Sequence, residues 1–400
     1  MLDLLSYMML GIIAGCCTGM IPGLHINLVS ALLISRAAFF EEIVYVEHLA
    51  VFVISMSITH TFIDSIPSIY LGAPDASQFL TALPGHKMFM QGKAHMAVTL
   101  TTFGSLLGLI LSLSLLGMFT VLVHHIYSHL SSMIGHILLI LSLYIIYDPG
   151  SLKNSLKRFM FFVLSGSYGM IILGQNQLSN PMFHMLSGLF GLSILVESLR
   201  SESDPVEQQP TLETDGRRAF FPSLTASISG FFAAFMPGFS TSQNAVILTR
   251  IFKKMNETDF LVLLGALNTS GMVASMGSFF AIERARNGSI IAIQELVGAL
   301  HLDLFIVIVL VMLIAGSFAS VVALRISRLM SKLVVKINYK QLILSVIISI
   351  AFLSFLFDGI LGLFVLFFCT MTGLSASYSG VAKNYLMGCI MLPVIFFLFI

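Results

Sequence analysis

Few residues in this chain can do chemistry, and most of them stand inside apolar runs. Asp64 lies deep in the apolar stretch 49–72, with His60 one helical turn earlier between Thr59 and Thr61. At i and i+4 the two side chains share a helix face. A carboxylate in such a run costs about 2.5–3.5 kcal/mol on insertion scales, so it faces a cavity and marks an ion or proton path. A His–Asp pair there suits a coupling proton, and a satisfied structural pair is the equally weighted alternative. A second kind of site follows two Pro-Gly breaks. Pro22-Gly23 interrupts the run 11–36 and is followed by His25 and Asn27. Pro237-Gly238 interrupts the run 220–252 and is followed by Ser240, Thr241, Ser242 and Asn244. A break frees backbone amides and carbonyls in apolar surroundings, where something has to satisfy them. The N-terminus of the half-helix beyond it offers free N–H groups and a positive dipole end to an anion.

The elements that position these residues repeat. Gly11, Gly15 and Gly19 recur every fourth residue before the first break, and Ala226, Gly230 and Ala234 do so before the second. Such spacing lines one helix face. It is also the common small-residue packing seam between membrane helices, which by itself accounts for the glycines as well as a site does. Two broken apolar helices at corresponding places in two halves point to the binding site of a secondary transporter. Downstream, His60 between threonines in the second segment of one half corresponds to Asn268-Thr269-Ser270 in the other. The expected fold class is therefore an all-α polytopic membrane protein of two structurally related halves, read as an inverted repeat. Each half carries a Pro-Gly-broken or re-entrant helix. Residues 1–200 form the N-terminal membrane half and 220–400 the C-terminal one. Residues 201–219, the one sustained hydrophilic stretch, read as a solvated cytoplasmic linker.

Composition supports the membrane class. Of 400 residues, 57% are hydrophobic and 10% charged, against about 25% charged in soluble domains. Each span needs roughly 20 apolar residues, and the runs suggest about ten to twelve segments. The net charge of +1 gives no reason to expect nucleic acid as a partner. The start, Met1 to Leu10, lacks a basic n-region and a cleavage site and reads as a retained helix. The four cysteines, Cys16, Cys17, Cys369 and Cys389, lie in apolar runs without metal-ligand spacing and read as small packing residues. Arg325, Arg328, Lys332, Lys336 and Lys340 mark one cytoplasmic loop, and Lys153, Lys157 and Arg158 another. Arg217 and Arg218 before the second broken segment, with Arg250, Lys253 and Lys254 after it, make residues 220–252 a re-entrant hairpin. The reading places the chain in the cell membrane as a multi-pass protein.

The G-x-x-x-G-x-x-P-G element at Gly15, Gly19, Pro22 and Gly23 resembles the opening of the large membrane subunit of tripartite tricarboxylate transporters, the TctA family (also DUF112). A second block of that family, A-L-D-G-Y-P-M-x-x-x-G-x-A, is matched by Ala82-Leu83-Pro84-Gly85-His86-Lys87-Met88 and Gly92-Lys93-Ala94. The chain departs from it where Pro84-Gly85-His86-Lys87 replaces Asp-Gly-Tyr-Pro, and at His25, where a small residue is usual. The resemblance implies carboxylate uptake with a small membrane subunit and an extracytoplasmic binding protein; this shortened form is also compatible with working without either. The expected function is a secondary active transporter moving a small carboxylate by alternating access, coupled to H⁺ or Na⁺. Gly19, Pro22, Gly23, His25, Asn27, Pro237, Gly238, Ser240, Thr241, Ser242 and Asn244 are the expected substrate-binding residues. His60 and Asp64 are the expected ion-coupling ones. No cofactor is called for; the partners are a small anion, membrane lipid and, as a further option, a second copy of the chain.

Rival readings are a translocase of polyprenyl-phosphate lipids, whose phosphate suits the same helix ends, and a membrane-embedded enzyme. The enzyme reading is disfavoured: Tyr147-Asp148 and Asp358-Gly359 lack the Gly-x-Gly-Asp of an aspartyl membrane protease, and no His-Glu-x-x-His is present. Asp75, Asp303 and Asp358 sit near turns and read as solvated. His124, His125 and His129 cluster without the other ligands of a metal site. Lys87 and Lys93 read as topology markers or anion contacts.

Overall fold

The structure is a computed structural model that describes residues 2–21, 30, 45–72, 79–200, 207–209, 216–234, 236, 241–252, 255–285, 287–336 and 338–399. All regular structure among them is helical. In hydrocarbon every backbone N–H and C=O has to be satisfied within the segment, and helices do that for long apolar runs. Among the described residues, eight helical stretches are long and apolar enough to cross a membrane, accompanied by shorter apolar stretches at Ile134–Ile146, Gly288–Val297 and Lys383–Phe399.

The chain opens with α1 (Leu2–Met20), then α2 (Val46–Ile63) and α3 (Ser65–Leu71), which meet at Asp64. Next come α4 (Phe79–Met90), α5 (Ala94–Ser131), α6 (Ile134–Ile146) and α7 (Leu152–Leu173). A continuous column follows: α8 (Pro181–Leu186), a π-helical turn (Ser187–Leu192) and α9 (Ser193–Arg200). Beyond the linker lie α10 (Gly216–Ala233), α11 (Thr241–Ile251), α12 (Glu257–Ile282), α13 (Gly288–Val297) and α14 (Leu302–Leu333). The chain ends with α15 (Tyr339–Tyr378), a 3-10 turn (Lys383–Met387) and α16 (Gly388–Phe399). Helix α15 has two legs, broken where Asp358 and Gly359 leave helical geometry, Gly359 at φ +57°. A Cβ on Gly362 would stand 2.7 Å from the Ser354 carbonyl oxygen. In a straight helix residues so spaced are roughly 12 Å apart, so the legs fold back sharply.

Glycines set the closest approaches. On α1, a Cβ at Gly11 would run into Phe52 O, at Gly15 into Thr59 and at Gly19 into Ile63. The register rises together on both helices, so α1 and α2 are parallel, and Tyr7 stacks on His48 at their start. Ile21 and Tyr45 therefore sit at opposite ends of the pair. The Gly11/Gly15/Gly19 face is a packing seam, one of the two readings the spacing allowed. Helix α5 runs parallel to α12, with Gly104 against Val262 and Gly108 against Ala266. Helix α14 runs parallel to α2 and α3: Gly316 lies near Ile58 and Phe62, and Ser327 O accepts from Tyr70 Oη at 2.8 Å. Helices α10 and α11 are antiparallel, with Phe221 edge-on to Phe252 and the Ser229 hydroxyl donating to Asn244.

Basic groups gather at one end. Lys87 pairs with Glu257 at 2.6 Å, and Arg250 donates to the carbonyls of Tyr147 at 3.1 Å and Ile145 at 2.7 Å, capping α6. Arg158 pairs with Asp148 at 2.7 Å, and the Gly150 amide together with Arg158 holds the Asp148 carboxyl below its usual range. Within the linker Gln208 is buried, accepting from Ala94 N at 3.1 Å and donating to Phe89 O at 3.0 Å.

The seams are testable by thermal unfolding in detergent. A Cβ at Gly265 would meet the Thr101 carbonyl, whereas one at Gly117 meets nothing within 4 Å. Gly265→Ala should lose about 1–3 kcal/mol, and Gly117→Ala should gain up to about 1 kcal/mol from helix propensity.

Candidate functional site

Helices α2 and α12 cross in the interior, and the crossing is polar. Thr61 Oγ1 and Thr269 Oγ1 face each other at 3.3 Å. The Asn268 amide donates to Asp64 Oδ2 at 2.9 Å and to Thr61 O at 3.2 Å. Asp64 is 4% exposed and His60 3%, so neither reaches bulk solvent. Each polar group here owes its place to the local fold. Asp64 terminates α2, its amide still bonded to His60 O at 3.0 Å, and its carbonyl takes the Ser68 hydroxyl of α3. His60 turns the other way, toward α1, with Nδ1 3.1 Å from Thr18 Oγ1. Thr18 also donates to Gly15 O at 3.2 Å. The last turn of α1 thus delivers Thr18 and Gly19 to the level of His60 and Asp64, just before Pro22-Gly23.

The second half reaches the same level. Ser270 on α12 donates to Ala226 O at 3.3 Å, and a Cβ at Gly230 would collide with the Ser270 hydroxyl. Helix α10 therefore packs on α12 beside the crossing, as α1 packs on α2. The antiparallel pair α10–α11 closes toward the Pro237-Gly238 break. Ser242 and Asn244 on α11 are buried, Asn244 tied to Ser229, and Thr241 is half-buried. Gly19 is a packing glycine against Ile63 and the Asp64 amide. Pro22, Gly23, His25, Asn27, Pro237, Gly238 and Ser240 lie outside the described residues.

Sequence reasoning brought His60 and Asp64 into the site but missed Thr18, Thr61, Asn268 and Thr269 as members. The available signal was Asn268-Thr269, polar in the middle of an apolar run at the place matching His60. One expectation is overturned. Asp358 is not solvated: its side chain is 2% exposed and pairs with His184 Nε2 at 2.6 Å. It also accepts from the Ser179 amide at 2.6 Å and the Asn180 amide at 3.0 Å, while His184 Nδ1 meets Ser354 Oγ at 2.8 Å. The turn position was read correctly; the loop before α8 folds over it. A second pair, buried Lys383 with half-buried Glu197 at 3.1 Å, joins α9 to the 3-10 turn, and Lys383 also donates to Ser193 at 2.8 Å. Among the described residues no group of three potential metal ligands stands together.

A helical membrane bundle, with an ionisable pair and facing threonines at an interior crossing flanked by α1 and α10, belongs to the class of membrane transport proteins. The family model "Tripartite tricarboxylate transporter TctA family" matches residues 5–388. The chain belongs to this family, and with it to the membrane subunits of tricarboxylate transporters. An uncharacterized protein of Methanocaldococcus jannaschii is 31% identical over 386 residues, covering 95% of this chain and 89% of that relative. No solved structure matches the chain.

Removing the amide that holds the crossing isolates its contribution. Asn268→Ala leaves a buried carboxylate oxygen and the Thr61 carbonyl short of a donor. Thermal unfolding in detergent should show a loss of about 1–3 kcal/mol.

Proposed function

We propose that the chain is a secondary active transporter of small carboxylates working by alternating access, with Asp64 and His60 as the ion-coupling groups. The observation that carries this is the meeting of Asp64 with Asn268 across α2 and α12, beside the last turn of α1 and the packing of α10 on α12. An anion bound near an ionised Asp64 would be repelled: two unit charges 4 Å apart cost about 4 kcal/mol at an effective dielectric of 20. A proton or Na⁺ that first neutralises Asp64 removes that cost, which is coupling in physical terms. Thr61 and Thr269 hydroxyls and nearby carbonyls suit Na⁺ as well. The substrate carboxylate is assigned to the break ends, with Asn27, Ser240, Thr241, Ser242 and Asn244 contributing.

The pairing of helices supports the inverted repeat. Helix α2 runs alongside α14, and α12 runs alongside α5, so the second helix of each half lies parallel to the long helix of the other. The basic end is assigned to the cytoplasm. The first half makes five passes, α2–α3, α5, α6, α7 and α8–α9, starting outside, and the second makes five, α12, α14, the two legs of α15, and α16, starting in the cytoplasm. An odd number of passes in each half puts the halves in opposite orientation. Helix α1 enters from the outer face and α10–α11 from the cytoplasmic face. The family implies a small membrane subunit and an extracytoplasmic binding protein as partners, and an extracytoplasmic face presenting the start of α1 is where a binding protein would deliver its load.

Asp64→Asn keeps the shape of the side chain but cannot release a proton. In proteoliposomes it should abolish accumulation driven by a proton or sodium gradient while leaving carboxylate exchange. Gradient-driven uptake at the wild-type rate would remove Asp64 from the mechanism.

A further inference from the structure

Helix α12 is buried at every position from Leu261 to Phe279 except two, Asn268 and Gly271. They are three residues apart and so share a face. Asn268 fixes where that face points, because its amide reaches Asp64 and Thr61 at the crossing. The opening therefore lies inside the protein, not toward lipid. Both amide hydrogens of Asn268 are taken by those acceptors, so it offers its carbonyl oxygen, an acceptor, to the space. Polar on that side, the space holds water or ligand instead of staying dry.

Gly271 differs from the other glycines of α12. A Cβ at Gly265 would meet Thr101 O, and one at Gly277 would stand 2.6 Å from Leu116 Cδ1. A Cβ at Gly271 meets nothing within 4 Å among the described residues. No described neighbour requires its smallness, and glycine inside a helix is about 1 kcal/mol worse than alanine. Its effect is to leave the space beside Asn268 and Asp64 unfilled. We propose that Gly271 is a specificity-determining residue: it sets the size of the substrate space and thereby the largest carboxylate admitted. This rests on the transport reading above and goes beyond it in assigning the size limit to one residue.

The test has two arms. In a chain whose four cysteines are replaced by alanine, Gly271→Cys should react with a small water-soluble thiol reagent in native membranes, and a transported carboxylate should slow the reaction. Met272→Cys, at a buried packed position, should not react. Equal rates at the two positions would overturn the opening itself. In the second arm, Gly271→Ala should keep uptake of the smallest dicarboxylates and lose that of tricarboxylates by roughly 10- to 200-fold, the range for one methyl-sized change in a pocket. Gly271→Leu should unfold at or above the wild-type temperature in detergent yet take up neither. Uptake unchanged in Gly271→Leu would overturn the size assignment. A wild type that takes up no carboxylate overturns the transport reading and the substrate assignment with it, while the labelling arm still decides whether the opening exists.

Discussion

A carboxyl group in the middle of a membrane bundle has to be satisfied by its neighbours, and Asp64 dictates what those neighbours are. Its cost in hydrocarbon is several kcal/mol if it is left alone. The Asn268 amide at 2.9 Å answers that cost from a helix more than two hundred positions away in sequence. With the Asn268–Thr61 and Thr61–Thr269 contacts beside it, that bond ties α2 to α12. The parts that follow obey it: α1 has to pack closely enough on α2 to bring Thr18 to His60, and α10 closely enough on α12 to bring Ala226 to Ser270.

Close approach without side-chain bulk is what the glycines supply. With no hydrophobic force between helices in lipid, contact depends on packing and on interhelical hydrogen bonds. The α5–α12 and α1–α2 seams use both, since Ser105 Oγ donates to Gly265 O at 3.0 Å while Gly104 and Gly108 abut Val262 and Ala266. Farther out, the α8–α9 column is held to the α15 and 3-10 region at two levels, by the buried His184–Asp358 contact and by buried Lys383 against half-buried Glu197.

Much of this was legible in the sequence, because its signals are local. Every-fourth-residue glycines, Pro-Gly breaks and an Asp four residues after a His can be read along a few turns of helix. The antiparallel α10–α11 pair, expected from charges on both of its flanks, is seen in the Phe221–Phe252 and Ser229–Asn244 contacts. What was not legible depends on distant pairing. Nothing near Asn268 in sequence says that it meets Asp64. Asp358-Gly359 reads as a solvated turn until the loop ending at Asn180 is seen to cover it, and Gln208 reads as linker until it is seen clasping the turn between α4 and α5. The glycine spacing likewise left packing and site indistinguishable, and only the distances to α2 show all three packed on that helix.

The central claim is that the two broken-helix elements enter the membrane from opposite faces and meet at Asp64 and Asn268. Sidedness decides it. Single cysteines replacing Glu47, at the start of α2, and Glu257, at the start of α12, are to be probed with a membrane-impermeant thiol reagent on sealed right-side-out vesicles. The account predicts that Glu47→Cys is labelled from outside and that Glu257→Cys is labelled only after the vesicles are opened. Labelling of both from the same side would contradict it.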